Sequence, residues 1–421
     1  MANYDIGLGQ PYATTMLAYA AAGADPAPVF RLFGPWTEPS QYLNFALPDI
    51  TMQAMGGAYV YDGGGLTALW LRTNAGTSPR CKVNGAGLIQ AKGYTGYGVN
   101  SGAIDCEFKR LAITENLPSG NFTHIYSTGD NLLAEDVQMG NIASVAAAVT
   151  GLNSAAGVGG IARRLSMSAV AVTGANFLYG ANLGSTNRGF LVEDFEFDNS
   201  SSESNLYGIY GAAPVVGVAG QVSTMHRISL HDLATPGTLY GIGLSRGSWY
   251  LRDVLIYGLT ATGLGIVSAL AAPDPTAGNS LVENCTVDGL TTGFSLTHSG
   301  GVYEVSNCIA TNCSYRGFRS ADPAFIVSSH NNGFGSTLDY HTLWPTAATD
   351  LQVDPLFVNP GGFDFRLQKT SPMIDSGIWV PNRTQDLANE PISGKAMDRG
   401  CYEYQQVNPR DLHNARASRR S

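Results

Sequence analysis

Residues 192–197 read VEDFEF: one apolar residue, two polar residues, then an apolar–polar–apolar triplet. The same pattern recurs along the chain and always places two apolar residues two positions apart after the polar pair. Because side chains alternate between the faces of a strand, both apolar residues lie on one face. The copies are FKRLAI (108–113), AEDVQM (134–139), ARRLSM (162–167), VEDFEF (192–197), MHRISL (225–230), LRDVLI (251–256), VENCTV (282–287) and VSNCIA (305–310).

The spacing of these copies predicts the fold. Their second polar residues follow one another after 26, 28, 30, 33, 26, 31 and 23 residues. The two adjacent polar residues break the strand alternation and so predict a corner. A unit of about 28 residues without a helical pattern can bury its apolar face only by stacking on the next unit, and a propeller blade needs about 40–45 residues. The sequence predicts an all-β fold, a right-handed parallel β-helix.

A second strand is predicted in each turn. A glycine followed by an apolar residue recurs after most corners and indicates that a new strand begins there. The examples are Gly208-Ile209, Gly241-Ile242, Gly263-Leu264, Gly293-Phe294 and Gly317-Phe318.

The corner pairs predict a ladder of ion pairs. In chain order they are KR, ED, RR, ED, HR, RD, EN and SN, so basic and acidic pairs alternate through most of the series. Neighbouring turns lie about 4.8 Å apart, which brings these opposite charges together. We therefore expect Glu193 and Asp194 to be paired carboxylates and not catalytic acids. Their predicted partners are Arg163, Arg164, His226 and Arg227.

The same stacking predicts two further columns. Asn284 and Asn307 continue the corner series and are expected to form an amide ladder. Cys285 and Cys308 should lie one above the other inside the solenoid, near enough for a disulfide. We favour buried thiols, because no export signal is visible and the six cysteines form no C-x-x-C pair. Neither a metal site nor a cofactor is expected from the cysteine spacings.

One outward column carries the candidate binding residues. Four residues after the corner it reads Asp198, His231, Tyr257 and Asp288 on successive turns, with Glu196 on the same face. An acid, a histidine and a tyrosine suit contact with a carbohydrate or a protein partner, or acid–base chemistry, and a plain solvated surface is the alternative.

The spacing within this column argues against glycoside hydrolysis. Asp198 and Asp288 are three turns apart, about 14 Å. Glycosidases need carboxylates about 5–5.5 Å apart for retention or about 6.5–9.5 Å apart for inversion. Glu196 would therefore have to serve as the second acid. We name no catalytic residue and expect a protein that is not an enzyme. If it is one, a polysaccharide hydrolase or lyase is indicated.

Charge and hydropathy exclude other classes. The net charge of −9 disfavours nucleic-acid binding. No run of about 18 apolar residues predicts a membrane span, and MANYDIGLGQPYATT (1–15) lacks the regions of a signal peptide. We expect synthesis in the cytoplasm. The end of the chain is locally basic and is predicted to be either a frayed tail or a docking arm for an acidic partner. Its arginines are Arg410, Arg416, Arg419 and Arg420.

Both ends of the chain resemble pectin-lyase-like right-handed β-helix proteins. QPYATTMLAYAAAGADPAPVFRLFGPW (10–36) resembles their N-terminal segment, which implies a short capping helix at about 12–22. DPLFVNPGGFDFRLQKTSPMIDSG (354–377) and DLANEPISGKAMDRGCYEYQ (386–405) resemble the segment that closes many such solenoids, although Cys401 stands where a small or apolar residue is usual. The resemblance implies architecture and no catalytic residue, because the calcium site of pectate lyases and the motifs of polygalacturonases are missing.

This resemblance divides the chain into four parts. Residues 1–36 are predicted to form the cap helix and first strand, and residues 37–345 the β-helix. Residues 346–405 are predicted to close the solenoid, and residues 406–421 to form the basic tail.

A long solenoid without an export signal or a catalytic motif also resembles bacteriophage virion proteins, either capsid decorations or tailspikes. That resemblance implies a homotrimeric, non-catalytic structural protein of the virion surface, made in the host cytoplasm. Its partners would be its own copies and a major capsid or tail protein, with no nucleic acid and no membrane. The alternatives are a tailspike that binds or cleaves host surface polysaccharide, and a bacterial surface protein exported by another route.

Overall fold

The computed structural model describes residues 2–405, apart from residues 24, 40–41, 48, 66–68, 74–79, 117, 119, 212–221, 246–247, 260–262, 269–278 and 298–300. The described residues are mostly β-strand. Helix α1 spans Thr15–Ala22, and single 3-10 turns span Pro323–Phe325 and Pro360–Gly362. No helix in the described ranges is long and apolar enough to cross a membrane.

The strands are short and follow one another closely along the chain. They are β1 (Asn3–Gly7), β2 (Val29–Phe33), β3 (Trp36–Pro39), β4 (Leu43–Phe45), β5 (Thr51–Gly56), β6 (Tyr59–Asp62), β7 (Leu69–Thr73), β8 (Lys82–Lys92), β9 (Tyr97–Ser101), β10 (Glu107–Thr114), β11 (Phe122–Ser127), β12 (Leu133–Val145), β13 (Val149–Val158), β14 (Ile161–Val172), β15 (Phe177–Arg188), β16 (Leu191–Asp198), β17 (Ser200–Ser202), β18 (Asn205–Gly211), β19 (Ser223–His231), β20 (Leu233–Ala234), β21 (Leu239–Leu244), β22 (Trp249–Tyr257), β23 (Gly263–Ser268), β24 (Ser280–Glu283), β25 (Thr286–Asp288), β26 (Thr292–Leu296), β27 (Tyr303–Ser306), β28 (Ile309–Thr311), β29 (Arg316–Ser320), β30 (Ile326–Ser329), β31 (Asn332–Phe334), β32 (Leu338–Tyr340), β33 (Phe357–Asn359) and β34 (Asp364–Leu367).

Two parallel sheets form the walls of a β-helix, as the sequence predicted. The first sheet contains 20 strands and bends at the corners, and the second contains 12 strands, which include the predicted glycine-led strands. Each strand pairs in parallel with the equivalent strand of the next turn, for example β14 with β16 and β15 with β18. The hairpin β33–β34 is antiparallel and separate from both walls.

The predicted corners are real bends of the backbone. At all eight predicted corners the second polar residue adopts a left-handed conformation with φ between 51° and 56°. This conformation costs most L-residues roughly 1–2 kcal/mol, and asparagine and aspartate adopt it more readily than other side chains. The eight residues are Arg110, Asp136, Arg164, Asp194, Arg227, Asp253, Asn284 and Asn307.

The register follows the predicted spacing and confirms the inward column. Lys109 pairs with Glu135, and the first corner residues continue through Arg163, Glu193, His226, Arg252, Glu283 and Ser306. In the position directly after the left-handed corner residue, the side chains point inward. Leu111, Phe195 and Cys308 are 3%, 1% and 0% exposed.

Ion pairs connect the corners along the solenoid. Arg227 binds Asp194 through Nε–Oδ1 at 2.5 Å and Glu193 through Nη2–Oε1 at 2.7 Å. His226 Nδ1 lies 3.2 Å from the same Glu193 oxygen. The predicted partners Arg163 and Arg164 form their ion pairs one turn earlier instead, with Glu135 and Asp136. These arginines lie between two acidic corners, and their guanidinium groups bind the corner of the preceding turn.

The amide ladder and the buried thiols are also present. Asn307 Nδ2 donates to Asn284 Oδ1 at 3.3 Å, and both side chains are fully buried. All six cysteines are free and buried, including the stacked Cys285 and Cys308. Burial raises the pKa of the Cys285 thiol well above its usual range.

Helix α1 covers the first turns. It begins three residues later than predicted because the Thr14 hydroxyl caps it, accepting from the Leu17 amide at 3.2 Å. Thr15 faces the interior, where its amide and hydroxyl both donate to the buried Glu38 carboxylate at 2.9 and 2.8 Å. The hydroxyl of Tyr59 donates to Glu38 as well, at 2.7 Å. These bonds attach the helix to the strands beneath it.

The C-terminal segment lies along the outside of the solenoid. Phe365 and Met373 pack on outward-facing Leu255 and Ile309 in a second apolar core. Arg383 is fully buried between Asp253, 2.8 Å away, and Glu403. The predicted boundaries of the four parts remain predictions, and the tail arginines at 410, 416, 419 and 420 lie outside the described residues.

Candidate functional site

The predicted outward column forms, and part of it converges. Tyr257 pairs with His231 on the neighbouring turn, and Ser168 pairs with Asp198 one turn before. The rings of His231 and Tyr257 are stacked 5.0 Å apart at an angle of 7°. Glu196 and Asp198 point to the same face of β16, because they are two residues apart on one strand. We call Glu196, Asp198, His231 and Tyr257 the outward cluster.

His231 sits between carboxylates. Its Nε2 lies 3.3 Å from Glu196 Oε1, and its Nδ1 lies 2.9 Å from Asp232 Oδ2. Partial burial opposes protonation, but the hydrogen bonds to Glu196 and Asp232 prevail and raise the pKa of His231. The same hydrogen bond lowers the pKa of Glu196. At neutral pH Glu196 is therefore an ionised acceptor.

The fifth predicted residue, Asp288, stands apart from the cluster. Its Oδ1 accepts from the Thr311 hydroxyl at 2.7 Å and from Asn312 Nδ2 at 2.8 Å, both on the following turn. Burial raises the pKa of Asp288. These two hydrogen bonds give Asp288 a structural role, which is to connect neighbouring turns.

The C-terminal segment forms a wall beside the cluster. Phe363 and Phe365 contact the Tyr257 ring at centroid distances of 5.0 and 5.1 Å. Burial raises the pKa of Tyr257 to about 12, so its hydroxyl stays protonated. Sequence reasoning missed Asp232 and Phe363, since one follows the column position directly and the other is more than 100 residues away.

Glu196 does not match the general acid of a glycosidase. A glycosidase needs one carboxyl with a raised pKa that can protonate the leaving oxygen. Glu196 has a lowered pKa, and Asp288, whose pKa is raised, lies three turns from Asp198 in the register. The cluster can bind cations and hydroxyl groups, which is the chemistry that neighbouring carboxylates offer.

Charge balance distinguishes this cluster from the corners. Each acidic corner pair, such as Glu193 and Asp194, is bound by an arginine. Within the described ranges, the only ion-pair partner of Glu196 and Asp232 is His231, and Asp198 has none. Three carboxylates thus share one histidine. Ligand atoms of Glu196, Asp198 and His231 lie within 4.8 Å of one another and could hold a metal ion.

A second outward feature lies on the other sheet, where tyrosines stack along the solenoid axis. Tyr207 stacks on Tyr179 at 4.9 Å and 11°, and on Tyr240 at 4.8 Å and 13°. Tyr210 packs edge-on against Tyr207, and Phe177, 39% exposed, lies beside Tyr179. We call these five rings the tyrosine ladder.

Polar groups accompany the ladder. The three stacked phenol hydroxyls make no hydrogen bond within the described part of the chain. The column three residues further along the strands contains amides, where Asn153 pairs with Asn182 and Asn182 with Tyr210. The surface therefore combines aromatic rings with free hydroxyl and amide groups.

The sequence contained a signal for this ladder. The triplet Leu-Tyr-Gly occurs at 178–180, 206–208 and 239–241, with the same 28- and 33-residue spacing as the register of these strands. The glycine–apolar pattern identified the strands, but the residue before each glycine also repeats and points outward.

No model of a known protein family matches the chain, and no curated protein matches its sequence. Among solved structures, the pectate lyase Pel9A is similar over 96% of this chain and 98% of its own, with 13% identity and a TM-score of 0.47. The A-module of the mannuronan C-5 epimerase AlgE6 from Azotobacter vinelandii has 14% identity, coverages of 80% and 94%, and a TM-score of 0.43. The PL6 family alginate lyase AlyGC has 11% identity and a TM-score of 0.39, and the match spans 97% of this chain but 60% of that one. These likenesses concern the fold alone.

Proposed function

We propose that the protein binds polysaccharide and that the tyrosine ladder is its contact surface. The observation that carries this proposal is the column of Tyr179, Tyr207 and Tyr240, stacked outward on three successive turns. Their hydroxyls have no hydrogen-bond partner among the residues that the structure describes. An extended row of identical groups suits a ligand that is itself a repeating chain. The solenoid holds this row rigid, so little conformational entropy is lost on binding.

The chemistry of the ladder fits sugars. Aromatic rings contact the apolar C–H faces of sugar rings, and phenol and amide groups exchange hydrogen bonds with sugar hydroxyls. The adjacent amides of Asn153 and Asn182 supply both a donor and an acceptor. The five residues predicted from sequence, Glu196, Asp198, His231, Tyr257 and Asp288, lie on a neighbouring face and stay a predicted contact.

The test is retardation in native gels cast with bacterial capsular or O-antigen polysaccharides. We expect at least one polysaccharide to retard the protein and Tyr207→Ser to weaken binding about tenfold, the equivalent of about 1.4 kcal/mol. Tyr315→Ser is the matched control, because Tyr315 is an exposed tyrosine outside the ladder. If no polysaccharide retards the protein, or if Tyr207→Ser binds as the parent does, the proposal is rejected. A reducing-end assay on the same mixtures is expected to show no cleavage.

The same ladder supports a second candidate, the packing of subunits. Tyrosine is enriched at protein interfaces, and the sequence-based prediction is a homotrimeric, non-catalytic virion surface protein that contacts a capsid or tail protein. Sedimentation equilibrium of the parent and of Tyr207→Ser separates the two candidates. A trimer that dissociates in Tyr207→Ser favours packing, whereas an unchanged mass with lost retardation favours polysaccharide.

A further inference from the structure

We propose that Glu196, Asp198 and His231 form a binding site for a divalent transition-metal ion such as Zn²⁺. The site is independent of the tyrosine ladder and of polysaccharide binding. It uses one imidazole nitrogen and two carboxylate oxygens, which leaves room for water or another ligand in the remaining coordination positions.

The geometry is close to that of a bound ion. Tetrahedral zinc with bonds of about 2.0–2.1 Å places neighbouring ligand atoms roughly 3.3 Å apart. His231 Nε2 and Glu196 Oε1 are 3.3 Å apart, beyond the usual length of about 2.9 Å for a hydrogen bond. Asp198 completes the set within 4.8 Å. The Asp198 side chain makes no bond within the described residues, so it is free to turn toward the ion.

The position of the ligands is fixed by the solenoid. Glu196 and Asp198 come from one face of β16, and His231 ends β19 on the next turn. The stack on Tyr257 sets the plane of the imidazole ring. Glu196 and His231 would therefore bind a metal ion with little movement, and only the Asp198 side chain would have to turn.

Asp232 orients the histidine as a metal ligand requires. Its carboxylate oxygen lies 2.9 Å from Nδ1 and accepts a hydrogen bond from the N–H of that nitrogen. A metal ion would replace the proton of Nε2, whose lone pair then points between Glu196 and Asp198. A carboxylate on the far nitrogen is the usual companion of a metal-bound histidine, and it raises the basicity of the ligand.

The charge pattern favours a cation here. Glu196, Asp198 and Asp232 carry three negative charges, and no lysine or arginine pairs with them in the described part of the chain. The two acidic corner pairs, Glu135-Asp136 and Glu193-Asp194, are by contrast bound by arginines. The imidazole donor selects zinc or a similar ion over Ca²⁺, which takes oxygen ligands.

The experiment uses the full chain after treatment with a chelator. Zn²⁺ is titrated by calorimetry, Co²⁺ by its visible absorption, and Ca²⁺ in parallel. We expect one equivalent of Zn²⁺ or Co²⁺ and at least tenfold weaker binding in His231→Gln and Asp198→Asn. Asp288→Asn is the matched control, because Asp288 belongs to the same column but bonds elsewhere. It should bind as the parent does.

Several outcomes overturn the site. They are the absence of a stoichiometric equivalent, unchanged binding in both variants, and Ca²⁺ binding as tight as Zn²⁺ binding. Circular dichroism confirms the fold of each variant, and Asp198→Asn, which keeps the side-chain volume, guards against a folding defect in His231→Gln. Gel retardation is measured on chelator-treated protein, so failure of the metal site and failure of polysaccharide binding are read separately.

Discussion

The buried histidine of the second sheet should make the solenoid labile to acid. His124 is fully buried, its Nε2 accepts from the Gly140 amide at 3.1 Å, and its Nδ1 lies 3.1 Å from the Thr150 carbonyl oxygen, to which it donates. Both bonds require the neutral imidazole with its proton on Nδ1. Burial lowers the pKa of His124 from 6.5 to about 4.

The sign and size of the effect follow from proton linkage. The folded pKa lies below the unfolded one, so the unfolded chain binds more protons between these two values. The contribution of His124 to stability is complete above about pH 6.5 and is lost as the pH falls through about 4. Integrated over that window it amounts to about 3 kcal/mol at pH 4.

The assay is urea unfolding at about pH 7.5 and about pH 4, comparing the parent with His124→Gln. The variant loses stability at both pH values, but its change between them should be smaller by about 3 kcal/mol. Carboxylates titrate alike in both proteins and cancel in this difference. Phe122→Leu is the control, since Phe122 packs edge-on against His124 and does not titrate. If the parent and His124→Gln lose the same stability on acidification, the reasoning about His124 is wrong.

Three further predictions concern the walls and the C-terminal segment. Gly208→Ala should destabilise by at least about 1–3 kcal/mol in urea unfolding, because a Cβ there would lie 2.4 Å from a carbonyl oxygen of the next turn, whereas Gly56→Ala meets open space. Arg383→Met should cost about 3–5 kcal/mol, measured the same way, because it leaves Asp253 and Glu403 buried without their cation. Burial raises the pKa of Glu403 from 4.5 to about 7. The contribution of Glu403 to the free energy of unfolding is therefore complete below about pH 4.5 and should be lost as the pH rises through 7. The measurement is the protease resistance of the C-terminal segment as the pH rises. If this resistance falls as steeply in Glu403→Gln as in the parent, the assignment to Glu403 is wrong.

The corners were predictable because one physical requirement repeats in them. A strand that must turn sharply needs a left-handed residue, and the side chains at a turn face water. Both demands select polar residues such as Asp136 and Asp194, so a local sequence pattern identifies the corner. Asn284 also occupies a corner, but its side chain is buried and donates to the C-terminal segment. The strand register then follows from counting residues between corners, and the observed pairs keep the predicted spacing.

The turn that contains β8 escaped the repeat because an insertion hides its corner. In β8 the corner region is longer: Lys109 pairs with Asn84, but Leu111 pairs with Ile89. Five residues on β8 therefore correspond to two on β10. The extra residues include Ala86 and Gly87, both with positive φ. A pattern defined by fixed offsets cannot recognise such a turn.

Convergence of the outward cluster was only partly predictable. The column positions of Asp198, His231 and Tyr257 follow from the register, which places them on neighbouring turns. The distances depend on side-chain torsions, which no periodic pattern contains. The contribution of Phe363 depends on a fold-back of the chain across more than 100 residues, and its partner Tyr257 gives no local sign of it.

The middle position of the repeated triplet shows which outward surfaces the chain covers itself. It is polar in five of the eight copies, as in Gln138 and Ser166, and apolar at Ala112, Leu255 and Ile309. The outward side chains of Leu255 and Ile309 are buried because the C-terminal segment packs on them. Applied to the other sheet, the same reasoning singles out the tyrosine ladder: its rings face outward, and Tyr207 and its stacked neighbours remain partly exposed beside the described residues. Apolar surface that the described chain does not cover is the surface on which an external ligand can gain most by binding.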